Sequence, residues 1–277
     1  MKQDAYVLVV GGSLVGSSAA LFLAWQGVPT VLVERHPGSS PHPRAIGYTP
    51  RTMELLRAVG LGSRVPEAPA NFRLLRARVE SLAGTWFDES AWTPQRPNPV
   101  QTPERKTPEH PHAVAPIEHS PCRGAAIAQD RLEPILRDKA IEFGADIRMN
   151  TELVHFEQDA DGVTTTLRER SGREYTLRTA YMIAADGARS PVREALSIAR
   201  SGRGHIRTLR SVLFRAPLDR YLEKGVSQFE IDQPDFKAFL TTYNDGRWVL
   251  MFHDDVERDE ASLRGAIVRA IGRSDVE

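Results

Sequence analysis

Residues 5–35 read AYVLVVGGSLVGSSAALFLAWQGVPTVLVER, and no other stretch of the chain limits the fold so sharply. Tyr6 to Val10 form a continuous apolar run, the mark of a strand buried on both faces of a parallel sheet. Gly11 permits a tight turn out of that strand. A helix from about Leu14 to Trp25 follows and ends before Gly27 and Pro29. A second apolar strand then closes on Glu34. Strand, glycine turn, helix and strand make a βαβ unit, the element from which parallel sheets are wound.

The glycine turn has the spacing G-x-S-x-x-G, with Gly16 placed to let the helix approach the sheet and Ser13 standing where the middle glycine is usual. The helix N-terminus presents N–H groups suited to a pyrophosphate, and the Ser13 hydroxyl is expected to add a hydrogen bond to it. Glu34, 18 residues after Gly16, stands where a carboxylate accepts from a ribose hydroxyl. A dinucleotide site follows, although the motif does not distinguish FAD from NAD(P).

Charge is balanced at 36 basic and 36 acidic residues, which argues against a nucleic-acid partner. Cys122 is the one cysteine, so no intramolecular disulfide framework is expected. No apolar run approaches the length of a membrane span, and the first strand begins too early for a signal peptide. The expectation is a soluble, cytoplasmic α/β protein.

Along the chain, Thr49-Pro50 opens a short helix through Met53, Leu56 and Val59, stopped by Gly60. Residues 72–87 read as a hairpin turning at Ala83-Gly84. Residues 94–121 hold eight prolines, the composition of a lid or a disordered segment. A helix follows Gln129, where Asp130 and Glu133 fit a capping box, Leu132, Leu136 and Ile141 form the apolar side, and Gly144 closes it. Strands are expected at about 146–150, 152–158, 163–169 and 174–178, and a separate buried strand from Tyr181 to Ala185 runs into Asp186-Gly187. After residue 205 come half-polar strands at 209–216, 226–232, 236–243 and 247–253, the pattern of an antiparallel sheet with one packed face. A helix at about 260–271 follows.

Several constellations carry more than one reading. Arg44, in the loop HPGSSPHPRAIGYTP, can clamp a phosphate or a flavin edge, or simply be solvated. Gln129 sits at a strand end before a helix, where its amide can reach a ribose or ribityl hydroxyl or belong only to the cap. Asp186-Gly187 can turn the chain beside a pyrophosphate with the help of helix-end N–H groups and Arg193, or make a plain strand-to-helix turn. His110, His112, His119 and Cys122 do not match the paired spacing of a zinc site, and they are read as loop residues holding no metal. Cys122 beside His119 offers little as a nucleophile pair, and no GxSxG is present.

Together and in this order, GGSLVG at 11–16, Glu34-Arg35, HPRAIGYTPRTMELLR at 42–57, QDRLEPIL at 129–136 and ADGARSPVR at 185–193 resemble the class A flavoprotein monooxygenases. These are FAD-dependent aromatic hydroxylases of the p-hydroxybenzoate hydroxylase fold, and the chain looks most like the actinobacterial hydroxylases of aromatic polyketides. The resemblance runs from residue 5 to about 270. It implies an α/β, Rossmann-like FAD-binding domain (1–71 and 110–204) with an inserted antiparallel-sheet substrate domain (72–109 and 205–277). Gly11, Gly12, Ser13, Leu14, Val15 and Gly16 would cradle the FAD pyrophosphate. Glu34, followed by Arg35, would bind the adenosine ribose. Arg44 and Gln129 would lie toward the flavin. Asp186 and Gly187 match the family's DG motif. NADPH or NADH would reduce FAD, and O2 would supply the oxygen given to a small phenolic or polyketide ring. The cofactor carries that chemistry, so no catalytic side chain is named.

The family's third motif, a Gly-Asp segment beyond the substrate sheet, is not met before Asp275-Val276-Glu277. The chain therefore resembles the N-terminal half of such an enzyme, and residues 1–277 are expected to bind FAD weakly or not at all and not to couple NADPH oxidation to hydroxylation. Two alternatives follow: an inactive remnant or FAD-binding subunit completed by a second chain, and an NAD(P)-dependent dehydrogenase. The DG segment and the lack of a Tyr-x-x-x-Lys pair weigh against the dehydrogenase.

Overall fold

A computed structural model describes residues 5–69, 75–91 and 119–274. The first elements are β1 (Ala5–Val10), α1 (Leu14–Trp25), β2 (Thr30–Glu34), β3 (Gly47–Tyr48) and α2 (Pro50–Ala58). Next come β4 (Leu75–Val79), β5 (Trp86–Ala91), β6 (Ala125–Ala126), α3 (Gln129–Glu142), β7 (Asp146–Met149), β8 (Thr151–Asp159) and β9 (Gly162–Glu169). The chain continues through β10 (Glu174–Ala184), α4 (Pro191–Ala195), β11 (Leu209–Arg215), β12 (Val226–Gln233), β13 (Phe236–Thr242), β14 (Arg247–His253) and α5 (Glu260–Ile271). The elements fall into two compact units, one within residues 1–68 and 120–202, the other within 69–119 and 203–277. This is the mixed α/β architecture expected from the sequence.

In the first unit a six-stranded sheet runs β7-β2-β1-β10-β9-β8. The pairs among β7, β2, β1 and β10 are parallel, and β9 and β8 are added antiparallel. From Val7 to Val10, β1 is buried on both faces because its side chains serve two cores, whereas Tyr6, expected in the same buried run, is exposed. Val7 and Val9 pack with Ala20 of α1 and Leu32. Leu8 and Val10 pack with Val31, Val33, Leu167 and Leu177 on the other side. A third cluster joins Leu21 of α1, Met53 and Leu56 of α2, and Leu132 and Leu136 of α3. Ile141, expected on that apolar side, is instead exposed.

The region from 174 to 185 departs from expectation. The two strands expected there are one, because β10 pairs antiparallel with β9 along its first half and parallel with β1 along its second, with Thr179 in both registers. Its second half is not buried: Tyr181 is 59% and Ile183 36% exposed. An apolar run measures how much a strand gains from being covered, and no described segment covers these two.

The second unit has a sheet of order β11-β14-β13-β12-β4-β5. It is antiparallel as expected except where β12 meets β4, which pair parallel with Phe229 opposite Ala77. Period-two burial builds its core from Val79, Phe229, Ile231, Leu240, Trp248 and Leu250, closed by Ile267, Ala270 and Ile271 of α5. Asp259 caps α5 by accepting from the Ser262 amide at 2.9 Å, and Gly272 ends it in the left-handed region. Asp254, buried at the end of β14, accepts from Arg258 at 2.6 Å and Arg210 at 3.0 Å. Arg258 first, then the Val256 amide and Arg210, outweigh the opposing effect of burial and hold its carboxyl down to about 2.

Candidate functional site

The parallel strands of the first unit end together, with Val10 beside Val33 and Ala184, and Glu34 beside Met149. Ligand sites of wound sheets form at such carboxyl ends. Gly11 turns the chain with φ +102°, and its N–H donates to the Val33 carbonyl at 2.9 Å. A Cβ on Gly11 would stand 2.4 Å from the Ala185 carbonyl oxygen, and one on Gly16 only 1.7 Å from that of Gly11. A Cβ on Gly12 would meet the Glu34 Cβ at 2.8 Å. Each of the three glycines is therefore required by close approach. α1 begins at Leu14 with neither a side-chain cap nor an acid in its first turn. A bare helix start over a glycine turn fits a pyrophosphate, whose charge supplies the missing acceptor.

Glu34 lies beside this turn. It accepts from the Gly12 amide at 2.7 Å and from the His36 amide at 2.8 Å, and it faces His36 Nδ1 at 2.6 Å. Burial pushes its pKa up, but the Gly12 and His36 amides and the His36 ring together prevail and hold it below the ordinary value. An ionised carboxylate at this point keeps lone pairs for ribose hydroxyls. Beyond it, a shallow cleft of about 490 Å3 is lined by Arg35, His36, Asn150, Glu152, Arg168 and Arg170.

α3 closes the other side of the glycine turn, and here the sequence reading is corrected. The helix starts at Gln129 after Ala128, which makes no side-chain cap, so Asp130 and Glu133 do not form a capping box. Glu133 is 1% exposed and turns toward the glycine loop. Its Oε1 accepts from the Ser13 hydroxyl at 2.6 Å and from Gln129 Nε2 at 2.7 Å. Ser13 Oγ also accepts from Gln129 Nε2 at 2.9 Å. The Ser13 hydroxyl, expected to face a phosphate, here donates to a buried carboxylate. Gln129 Oε1 in turn accepts from the Arg44 and Ala45 amides at 3.2 and 3.3 Å. Arg137 lies 3.7 Å from Glu133 and donates to the Gly12 carbonyl at 3.1 Å and to Ser39 Oγ at 3.1 Å. Tyr48 takes no part in this network: its phenol OH is buried without a hydrogen-bond partner among the described residues, and burial, then Glu133 and Asp130, push its pKa up to about 12.

Asp186-Gly187 follows β10 directly beside the turn, the Asp186 amide lying 3.1 Å from where a Gly11 Cβ would be. Asp186 Oδ2 accepts from the Val192 amide at 3.1 Å and Ser190 Oγ from the Arg193 amide at 3.0 Å. The amides expected to face a pyrophosphate there are already used. Arg193 also turns away, to the Ala188 carbonyl and Glu194, both at 2.9 Å. The structure therefore gathers Gly11, Gly12, Ser13, Gly16, Glu34, Gln129 and Asp186 at one place. Arg44 joins through its backbone with an exposed side chain, as does Val15 at the helix start, while the neighbouring Leu14 packs partly buried against the core and Arg35 reaches only the cleft. His110 and His112 lie outside the described residues, and the buried Cys122 accepts from Arg57 at 3.0 Å. Sequence reasoning missed Glu133 and Arg137. Their spacing from Gln129, four residues for Glu133 and eight for Arg137, places all three on one helix face and was the available signal.

A family model described as the FAD binding domain matches residues 4–274. The chain belongs to the FAD-binding domain family. Among relatives of this FAD-binding chain, the tetracenomycin A2 monooxygenase-dioxygenase of Streptomyces glaucescens is 40% identical over 264 residues, covering 91% of this chain and 47% of the relative. Aklavinone 12-hydroxylase RdmE of Streptomyces purpurascens is 38% identical over 98% of this chain and 50% of its own length. The crystal structure of aklavinone-11 hydroxylase with FAD and aklavinone matches with a TM-score of 0.80 at 32% identity, over 100% of this chain and 52% of that one. The chain spans about half the length of the curated relatives it matches.

Proposed function

We propose that this chain contributes the FAD site and part of the substrate site of a monooxygenase that hydroxylates a flat phenolic or polyketide ring with NAD(P)H and O2. The observation that carries the reading is the glycine turn, where an added Cβ on Gly16 would stand 1.7 Å from the Gly11 carbonyl oxygen, beside a carboxylate held ionised at Glu34. The relatives' named reactions supply the substrate class. FAD, when bound, supplies hydride acceptance and oxygen activation.

The residues of this chain bind and orient. The backbone from Gly11 through Gly12, Ser13, Leu14 and Val15 to Gly16 meets the pyrophosphate, and Glu34 accepts from the adenosine ribose, with Arg35 at the adenosine end. Gln129 and Arg44 face the flavin side, with Asp186 and Gly187 closing the turn. The first unit is the FAD-binding domain and the six-stranded sheet of the second is the substrate domain. No helix among the described residues is long and apolar enough to cross a membrane, and the proposed enzyme is a cytoplasmic one. The exposed Tyr181 and Ile183 on a central strand favour one addition, that a further polypeptide segment, in this or a second chain, packs over β10.

Titration of the purified chain with FAD, followed by flavin fluorescence and the visible spectrum, tests the reading. Saturable binding that Glu34→Ala weakens is the expected result. Binding of NADP without any binding of FAD would turn the assignment to a dehydrogenase.

A further inference from the structure

Along one face of α3, at intervals of four, stand a carboxamide (Gln129), a carboxylate (Glu133) and a guanidinium (Arg137). Each reaches a different part of the chain. Gln129 holds the Arg44 and Ala45 amides, Glu133 holds the Ser13 hydroxyl, and Arg137 holds the Gly12 carbonyl and Ser39. Glu133 is buried, with its side chain only 2% exposed. A carboxylate in that position is costly unless donors surround it. It has two, the Ser13 hydroxyl and the Gln129 amide, and the Arg137 guanidinium adds an ion pair at 3.7 Å. Apolar packing of α3 on α1 would not need this arrangement.

We infer that Glu133 is a positioning residue for the dinucleotide, which holds the Ser13 side chain inward so that position 13 offers the pyrophosphate its backbone alone, as glycine would. This rests on the FAD reading above. The hydroxyl of Ser13, donating to Glu133 and accepting from Gln129, is engaged on the protein side. Without Glu133 it swings to the loop's outer face, into the space the phosphate requires, and Gln129 loses one of the partners that set the 39–45 loop. Arg137 offsets the carboxylate's repulsion of the phosphate and fixes the Gly12 carbonyl, so the turn is held on both sides of Ser13.

The experiment compares the wild-type chain, Glu133→Ala, Glu133→Gln, Ser13→Gly and the double variant Glu133→Ala/Ser13→Gly. FAD dissociation constants come from flavin fluorescence. Hydrogen exchange of segments 11–16 and 39–46 is measured on the same proteins without FAD. Glu133→Ala should weaken FAD by about tenfold to a hundredfold, the range for lost hydrogen bonds to a charged group. Adding Ser13→Gly should restore most of that loss, since the side chain to be restrained is gone. Glu133→Gln, which keeps an acceptor, should lose less than Glu133→Ala and serves if the alanine variant does not fold. Exchange should quicken in both segments and stay unchanged in the β8–β9 hairpin. A double variant no better than Glu133→Ala, or unchanged FAD binding in Glu133→Ala and Glu133→Gln alike, overturns the inference. Should the wild-type chain bind no FAD, as is expected of a half-length chain, the dissociation constants give no reading; should it bind NADP instead, the cofactor reading fails by itself. Exchange then decides the inference: unaltered rates in 11–16 and 39–46 refute the restraint of Ser13.

Discussion

Gly16→Ala isolates the packing on which the proposed FAD site depends. The added Cβ would lie 1.7 Å from the Gly11 carbonyl oxygen, 2.9 Å from its carbon and 3.3 Å from the Ala185 Cβ. Real contacts of this kind stay beyond about 3 Å, so α1 and the β1 turn must separate by more than about an ångström. Neither partner is a flexible side-chain end. The clashing atoms are backbone, and Gly11 is itself tied to Val33. Overpacking commonly costs about 1–3 kcal/mol, and a backbone-to-backbone clash belongs at the top of that range or above it. At roughly 2–4 °C per kcal/mol, the melting temperature should fall by about 6–12 °C. The same displacement moves the Ser13 and Leu14 amides, so FAD binding should weaken by about a hundredfold, as when two charge-assisted bonds are lost. Differential scanning fluorimetry and flavin titration measure the two effects. Gly47→Ala, where an added Cβ meets nothing within 4 Å, is the control and should leave the melting temperature nearly unchanged. A Gly16→Ala protein that melts and binds FAD like wild type would refute the argument from close approach.

Three further outcomes are expected. Glu34→Ala should weaken FAD by roughly 1–3 kcal/mol, measured by the same titration, and Glu34→Gln, still an acceptor, by less. Gly265→Ala, at an exposed position inside α5 with open space around it, should stabilise the chain by about 0.5–1 kcal/mol in urea melts. Acid should destabilise the chain in a defined direction. Asp254 titrates near 2 when folded and at the ordinary 3.8 when unfolded, so its contribution is whole above the unfolded value and is lost as pH falls toward about 2. Glu34, also depressed, acts in the same sense below its ordinary 4.5. Urea melts of wild type and Asp254→Asn between pH 7 and 3 check this, because the variant should lose less stability on acidification.

What the sequence made legible was whatever depends on neighbours along the chain. The apolar run of β1 from Val7, the glycines at 11 and 16 and the alternation of β12 each state a local requirement, and the structure meets them; β14 departs, being buried on both faces from Arg247 to Leu250. Glu133 was misread because a Glu following Gln129-Asp130 looks like a capping partner. Its actual partner, Ser13, is 120 residues away, and only the packing of α3 on α1 brings the two together. Tyr181 and Ile183 were misread for a related reason. Their side chains show that the strand gains by being covered, whereas exposure is decided by what lies above it. Arg193 shows that a charge near a motif does not fix its direction, since the nearer Ala188 carbonyl captures it.

The strand orders have a consequence for synthesis. β1 lies next to β10, and β4 lies next to β12, so each sheet joins a strand made early to one made more than a hundred residues later. On the ribosome, β1 has β2 on one side but no partner on the other until about residue 184 has emerged. The β4–β5 hairpin waits for β12 and is left with an open edge meanwhile, a hazard when unpaired strands persist. Because the two units are nested along the chain, no single cut yields one of them whole. Isolating either would require rejoining two stretches, residues 1–68 to 120–202 or 69–119 to 203–277.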